Sequence, residues 1–93
     1  MSTLSVPSRV DAVRFLLDAD ATPGLLPRLL QPFAKRDLTP DHMWSRRECD
    51  MMHVEIVLTN APPGEIARIE GNLGQVVGVR RVLLVAESAA QAA

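Results

Sequence analysis

The chain has few cysteines, few aromatic residues and no excess charge of one sign, and each shortage excludes a class of protein. A single cysteine, Cys49, in 93 residues cannot form an internal disulfide framework, and it favours a reducing compartment. Ten Lys and Arg residues against eleven Asp and Glu give a net charge of -1, so the chain lacks the positive excess that draws proteins to nucleic-acid phosphates. One Trp, two Phe and no Tyr are too few for the stacking surface of an RNA-binding sheet.

The sequence also lacks a hydrophobic run long enough to cross a bilayer and a secretion signal at its start. We therefore predict a cytoplasmic protein with no membrane and no nucleic-acid partner. A hydrophobic content of 47% with 23% charged residues is typical of one small globular domain. We expect residues 1–9 to be a flexible lead, 10–86 the single domain and 87–93 a flexible tail.

Two hydrophobic periods divide the domain into strands and helices. Alternation with a period of two predicts strands over 10–17 and 51–58, residues 42–47 are a short strand candidate, and the apolar run 79–86 predicts a final strand. The spacing of Leu26, Leu29, Leu30 and Phe33 predicts a first helix, with Thr22 as its cap and Pro23 at its first position. A second helix is predicted over 63–75.

The predicted order is strand, helix, strand, strand, helix, strand. Two βαβ halves of this length favour an α+β, ferredoxin-like βαββαβ sandwich, with a four-stranded antiparallel sheet and two helices on one face. The first and third strands are then central, antiparallel neighbours. The side chains expected to meet the helices as the core are Val13, Phe15, Leu17, Val54, Ile56 and Leu58.

The opposite face of the predicted sheet mixes aliphatic and charged side chains. Its members are Leu16, Val57, Leu83 and Val85 beside Arg14, His53, Glu55 and Arg81. We expect Arg14 to pair with Glu55 across strands. The aliphatic residues are either scattered surface positions or an interface with a second copy or another protein.

No catalytic or metal site is predicted. His42, Cys49 and His53 lack the second short-spaced pair of a tetrahedral zinc site. The acids on either side of Cys49 disfavour a reactive thiolate. Asp18 and Asp20 are more typical of a turn than of a carboxylate pair. The arginine pairs are interpreted as solubilising charges or interface rim; they are Arg46–Arg47 and Arg80–Arg81.

The segment 20–25 after the first strand could instead bind a ligand. Free amides at a helix N-terminus attract a carboxylate. Gly24 would let a ligand approach the backbone, and Asp20 could meet an ammonium group. A free amino acid fits this chemistry, and the alternative is an ordinary capped turn.

Three motifs within residues 10–86 resemble those of the ACT domain. They are Pro23-Gly24-Leu25-Leu26, Phe33-Ala34-Lys35-Arg36 and Leu73-Gly74-Gln75-Val76-Val77-Gly78-Val79. The chain is most similar to small regulatory subunits of acetolactate synthase. The sequence departs from the family pattern at Ala21, where an acid or amide is common, at Asp37, where a glycine is usual, and at Pro32.

The resemblance implies a non-catalytic regulator with no cofactor of its own. Such domains pair through their sheet edges and bind small effectors at the seam. In the acetolactate synthase group the effectors are branched-chain amino acids such as valine, and the small subunit activates the thiamine-diphosphate-dependent catalytic subunit. The effector-binding residues carried over by position are Asp20, Ala21, Thr22, Pro23, Gly24 and Leu25, with Thr39 and Pro40 of the neighbouring copy. The alternatives are a free-standing amino-acid sensor that dimerises without an enzyme partner and a structural module without a ligand.

Overall fold

A computed structural model describes residues 10–87, which form four strands and two helices in the predicted order. The elements are β1 (Val10–Asp20), α1 (Leu25–Ala34), β2 (His42–Glu48), β3 (Met51–Ala61), α2 (Pro63–Gly74) and β4 (Val79–Glu87). The predicted lead and residues 88–93 of the predicted tail lie outside the described residues. Strand β4 includes Glu87, which the sequence assigned to the tail.

The four strands form one antiparallel sheet in the order β2-β3-β1-β4. Both central strands are longer than expected, because β1 continues to Asp20 and β3 to Ala61. The arrangement confirms the predicted ferredoxin-like fold, with β1 and β3 in the middle. Strands β2 and β4 are left at the two edges.

The core lies between one face of this sheet and the two helices. All six predicted core residues of β1 and β3 are buried. Phe15 meets Phe33 of α1 edge to face, with ring centroids 5.6 Å apart. Ile69 and Leu73 present the apolar stripe of α2 to the same core. No buried polar residue occurs between positions 12 and 87, so hydrophobic burial holds this layer together.

The start of α1 differs from the prediction, because Thr22 and Pro23 belong to a turn that precedes the helix. The Leu25 amide donates to the Thr22 carbonyl at 3.2 Å, and Gly24 has φ 82° and ψ -1°. These are the features of a type II turn, in which proline suits the second position and glycine the third. The predicted Thr22 cap is therefore wrong, and Gly24 directly precedes the helix.

Two further turns place residues other than glycine in the left-handed region. Asp37 follows α1 at the position where the family pattern usually has glycine, and it has the left-handed φ of 57° that this position requires. Cys49 has φ 56° and is the first residue of the two-residue loop between β2 and β3. The residues that flank this loop, Glu48 and Met51, pair with each other. Both conformations cost free energy for a residue with a β-carbon. Within 10–87, neither helix is long and apolar enough to cross a membrane.

Candidate functional site

Three connections meet at the end of the sheet where β1 finishes. The Asp20 amide donates to the Gly78 carbonyl, and the Ala21 amide donates to the Asp50 carbonyl, both at 2.8 Å. Gly78 has φ 96°, and a β-carbon there would come within 3.7 Å of the Asp20 β-carbon. The predicted effector loop is therefore held by the β2–β3 turn and by the α2–β4 loop.

Asp20 already has a cationic partner in this loop. The Arg80 guanidinium donates through Nε to Oδ1 at 3.0 Å and through Nη2 to Oδ2 at 3.3 Å. This hydrogen bonding raises the pKa of Arg80 above its ordinary value. A ligand ammonium group at Asp20 would thus have to share the carboxylate with Arg80 or displace it. Sequence patterns alone do not reveal this partner, because Arg80 lies on β4, 60 residues along the chain from Asp20.

The N-terminus of α1 offers fewer free amides than expected. Leu25 donates to the Thr22 carbonyl, and Pro27 has no amide hydrogen. Leu26 is then the first-turn residue whose amide has no backbone acceptor within residues 10–87. The Arg28 guanidinium lies 3.7 Å from the place that a Gly24 β-carbon would occupy. Arg28, which follows Gly24 by one helical turn, therefore places a positive charge beside this loop.

The predicted site residues are not all available to a ligand within one chain. Thr22, Pro23 and Gly24 are exposed and Ala21 is half-buried, but the Leu25 side chain belongs to the core.

Thr39 and Pro40 lie towards the opposite end of the sheet. The adjacent Asp41 amide donates to the Val57 carbonyl, and the Asp41 carboxylate accepts the Thr59 amide, both at 2.8 Å. Val57 pairs with Arg14, whereas Asp20 pairs with Met51, so several residues of β1 separate the two groups. That the loop 20–25 of one copy meets Thr39 and Pro40 of a second copy stays a prediction.

The sheet face without helices carries exposed apolar side chains, here called the open face. Trp44 of β2 is 45% exposed, Leu83 of β4 is 48% exposed and Val85 is 37% exposed. Leu16 of the central strand β1 lies between the two edge strands on this face. It pairs with Glu55 of β3 on one side and with Leu83 of β4 on the other. A shallow depression of about 340 Å³ lies between Trp44 and Leu83. The expected Arg14–Glu55 ion pair is present, at 4.0 Å.

His53 stands at the wall of this depression with both ring nitrogens near carboxylates. Nδ1 is 2.7 Å from Oδ1 of Asp18, and Nε2 is 3.2 Å from Oε1 of Glu48. The hydrogen bond to Asp18 is the main cause that raises the pKa of His53, and Glu48 adds to it. His42 lies opposite Val57 of β3, away from the contacts between His53 and the two carboxylates. In the part of the chain that the structure describes, no group of three or more His, Cys, Asp or Glu side chains is arranged to hold a metal ion.

The βαββαβ order with one four-stranded antiparallel sheet defines a small α+β domain of the ferredoxin-like class. Residues 7–89 match the family model described as "ACT-like domain". The chain therefore belongs to the ACT-like domain family, whose members are typically regulatory, ligand-binding modules without catalytic activity. No curated protein matches the sequence.

Solved structures share the fold at low sequence identity. The ACT domain of GTP pyrophosphokinase from Chlorobium tepidum is similar with a TM-score of 0.71 and 10% identity, over 82% of this chain and 99% of that one. The C-terminal domain of MgtC from Mycobacterium tuberculosis gives 0.67 and 15%, over 96% and 100%. A homoserine dehydrogenase from Thiobacillus denitrificans gives 0.73 and 14%, over 95% of this chain and 20% of that one. At these identities the likeness concerns the fold.

Proposed function

We propose that the chain is a non-catalytic regulatory subunit that binds and activates the catalytic subunit of an acetolactate-synthase-like enzyme. In this proposal it acts in the cytoplasm, in branched-chain amino-acid biosynthesis, and it dimerises through its sheet edges. The family membership supports a regulatory role. The motif resemblance described above supports the particular enzyme.

Within residues 10–87, the two outer edges of the sheet, at β2 and β4, have no strand partner and lie beside exposed apolar side chains, and this observation carries the proposal. Strand β2 has no fully buried residue, and neither has β4. An edge strand presents unused backbone donors and acceptors, which pair readily with another strand. Trp44 and Leu83 add apolar area at these two edges, of the kind that anchors protein–protein contacts. A second copy and a catalytic subunit could thus each use a part of this surface.

The effector, if the chain responds to one, would be an amino acid with a short apolar side chain such as valine. Asp20, Thr22 and Gly24 would meet it from one copy, and Thr39 and Pro40 from the other. Arg28 beside Gly24 would attract the carboxylate. The ammonium group would compete with Arg80 for Asp20, because both cations need the same two oxygens.

Co-purification tests the enzyme partner directly. The tagged chain is co-expressed with the acetolactate synthase catalytic subunit of its own cell, and the complex and its activity are compared with those of the catalytic subunit alone. We expect a stable complex and higher activity. A Trp44→Ser, Leu83→Ser double variant should weaken the complex, and Val77→Ser, at an exposed apolar site in the α2–β4 loop, serves as its control. A chain that neither binds nor stimulates the enzyme would remove this proposal.

The edge-paired dimer is tested separately by light scattering of the chain alone. We expect twice the monomer mass at micromolar concentrations. A monomer would argue against the joined sheets, whatever the enzyme assay shows.

A second candidate, a free-standing amino-acid sensor, is favoured by the position of Arg28 over Gly24. A thermal-shift screen of the twenty amino acids tests it. A ligand at 100 times its dissociation constant adds about 2.7 kcal/mol of stability. For a domain of this size, that corresponds to roughly 10 to 20 °C in Tm. Arg28→Gln should abolish the shift, whereas Arg68→Gln, at an exposed arginine of α2, should preserve it. No shift with any amino acid would contradict the sensor.

A further inference from the structure

His53 joins three strands through its two ring nitrogens. It lies on β3 and contacts Asp18 of β1 through Nδ1 at 2.7 Å and Glu48 of β2 through Nε2 at 3.2 Å. Asp18 is its register partner on β1, whereas Glu48 is the last residue of β2, just before the turn. The three side chains, here called the His53 link, are half-buried or exposed on the open face.

This geometry can be satisfied fully only when the imidazole is protonated. A neutral imidazole has one N–H and one lone pair, so it can donate to one carboxylate and must turn the lone pair towards the other. The doubly protonated ring donates to both and also carries the matching charge. Of the two contacts, the one to Asp18 is the shorter.

Of the two carboxylates at His53, Glu48 is the more exposed, with 62% of its side chain accessible against 37% for Asp18. On β2, Arg46 lies opposite His53, and its Nη2 is 3.8 Å from Oε1 of Glu48. This arginine is therefore a second partner for the same oxygen.

Three further charged groups on β1, β3 and β4 surround the link. On β3, Glu55 pairs with Arg14 of β1. At the end of β1, Asp20 pairs with Arg80 of β4. Arg81 of β4 is the register partner of Asp18 on the other side of β1, and it lines the same depression as His53. Because a neutral imidazole can donate only one hydrogen bond, loss of the proton would keep the shorter contact to Asp18 and leave Arg46 as the cation beside Glu48.

We propose that the His53 link is a pH-dependent switch that sets the position of Glu48 and Arg46 at the edge of the sheet. With His53 protonated, Glu48 is held towards the centre of the sheet. With His53 neutral, Glu48 turns to Arg46 and changes the charge beside Trp44, because the Arg46 guanidinium lies 5.9 Å from the centre of the indole. The switch does not depend on the enzyme partner proposed above, and it alters the edge strand and the depression on which any partner would dock.

The sole tryptophan provides the readout. The fluorescence of Trp44 is measured in the full chain from about pH 5 to about pH 9, a range that spans the ordinary histidine pKa of about 6.5. In parallel, NMR of the His53 ring follows its protonation. We expect a fluorescence transition whose midpoint coincides with the His53 titration and lies above the ordinary value. A midpoint at or below the ordinary value would overturn the proposal.

Two variants separate the titration from the movement. Asp18→Asn removes the strongest contact, so the His53 midpoint should fall. Glu48→Gln should lower the midpoint less and should abolish the Trp44 transition, because the amide carries no charge to transfer to Arg46. A Trp44 transition that persists unchanged in Glu48→Gln would contradict the switch even if His53 titrates as expected.

Matched controls test whether His53 alone is responsible. His53→Gln should lose the transition, and His42→Gln, which alters the chain's other histidine, should keep it. Glu55→Gln should also keep it, because that carboxylate pairs with Arg14 instead. A transition that survives His53→Gln would assign the effect to another group and overturn the proposal.

Stability should follow the same titration with a defined sign. The pKa of His53 is raised in the folded chain, so the proton binds more tightly to the folded state. The link therefore stabilises the fold fully below the unfolded pKa of about 6.5, and the stabilisation is lost as pH rises through the folded pKa. The Tm difference between the wild type and His53→Gln should be larger at about pH 5.5 than at about pH 8.5. A difference that does not change with pH, or that grows towards high pH, would contradict the link.

Discussion

The two central strands and the two edge strands differ in what their side chains touch. Strands β1 and β3 each contribute four fully buried side chains to the core. Strands β2 and β4 contribute none, and their apolar residues are half-buried or exposed. The central strands are also paired on both sides, whereas each edge strand is paired on one.

This difference separates the residues that specify the fold from those that are available for binding. The buried residues of β1 and β3 lie under both helices, so their packing decides whether the domain folds. The edge strands contribute the exposed tryptophan and leucine and half of the ionic contacts on the open face. We therefore expect substitutions in the centre to change stability, and substitutions at the edges to change association.

The largest expected effect is at Phe15, whose ring is fully buried against Phe33. Phe15→Ala removes that contact and leaves a cavity, so the free energy of unfolding should fall by about 3 to 5 kcal/mol. Urea denaturation at constant pH measures the change.

The matched comparison is Leu84, which pairs directly with Phe15 across strands but lies on the edge. This leucine packs against the same core and is only half-buried. Leu84→Ala should cost about 1 to 2 kcal/mol, since part of its side chain is already in contact with water. Equal losses at the two positions would mean that the edge is more tightly packed than its exposure indicates.

A smaller effect, of opposite sign, is expected at the turn that joins the edge strand β2 to the central strand β3. Cys49 adopts φ 56° there, a conformation that glycine reaches without a steric cost. Cys49→Gly should therefore raise the free energy of unfolding by about 1 kcal/mol, measured under reducing conditions. Cys49→Ser keeps the β-carbon and should leave stability unchanged. A gain with serine as well would point to the thiol rather than to the backbone.

The smallest effect on stability is expected at Leu83, near the middle of β4 on the open face. Because nearly half of its surface is exposed in the single chain, Leu83→Ser should change the free energy of unfolding by less than about 0.5 kcal/mol. Its effect should appear in association instead, as a weaker dimer or enzyme complex in light scattering. A large loss of stability in the monomer would place Leu83 in the core after all.

Hydrophobic periodicity was enough to predict the fold, since alternation over β3 and the helical spacing around Leu29 identify elements that bury one face each. The start of α1 was predicted wrongly because Thr22 and Pro23 also satisfy the pattern of a helix cap. The Pro-Gly pair was the better signal, since proline and glycine suit the two middle positions of a type II turn. That turn moves the first helical residue to Leu25.

The side-chain partners around the candidate site were much harder to predict than the fold. Arg80 meets Asp20 only because β4 lies beside β1 in this register, with an irregularity next to Asp18. His53 meets Asp18 for a similar reason, across 35 residues. Such contacts depend on the exact register between strands. Hydrophobic alternation shows only which face of the sheet a side chain is on, so registers that differ by two residues fit it equally well.

The unlike edges of the sheet also decide which assemblies are finite. If β2 of one molecule paired with β4 of another, each addition would expose a fresh copy of the same two edges, and the sheet could grow into a filament. Pairing of like edges around a twofold axis uses the same edge of both molecules, and it stops at two molecules as long as their other edges stay unpaired. Charged residues such as Arg46, Arg47 and Glu48 on β2 hinder unspecific pairing of that edge with another strand. Whether an assembly of this sheet is finite thus depends on how many of its two edges pair.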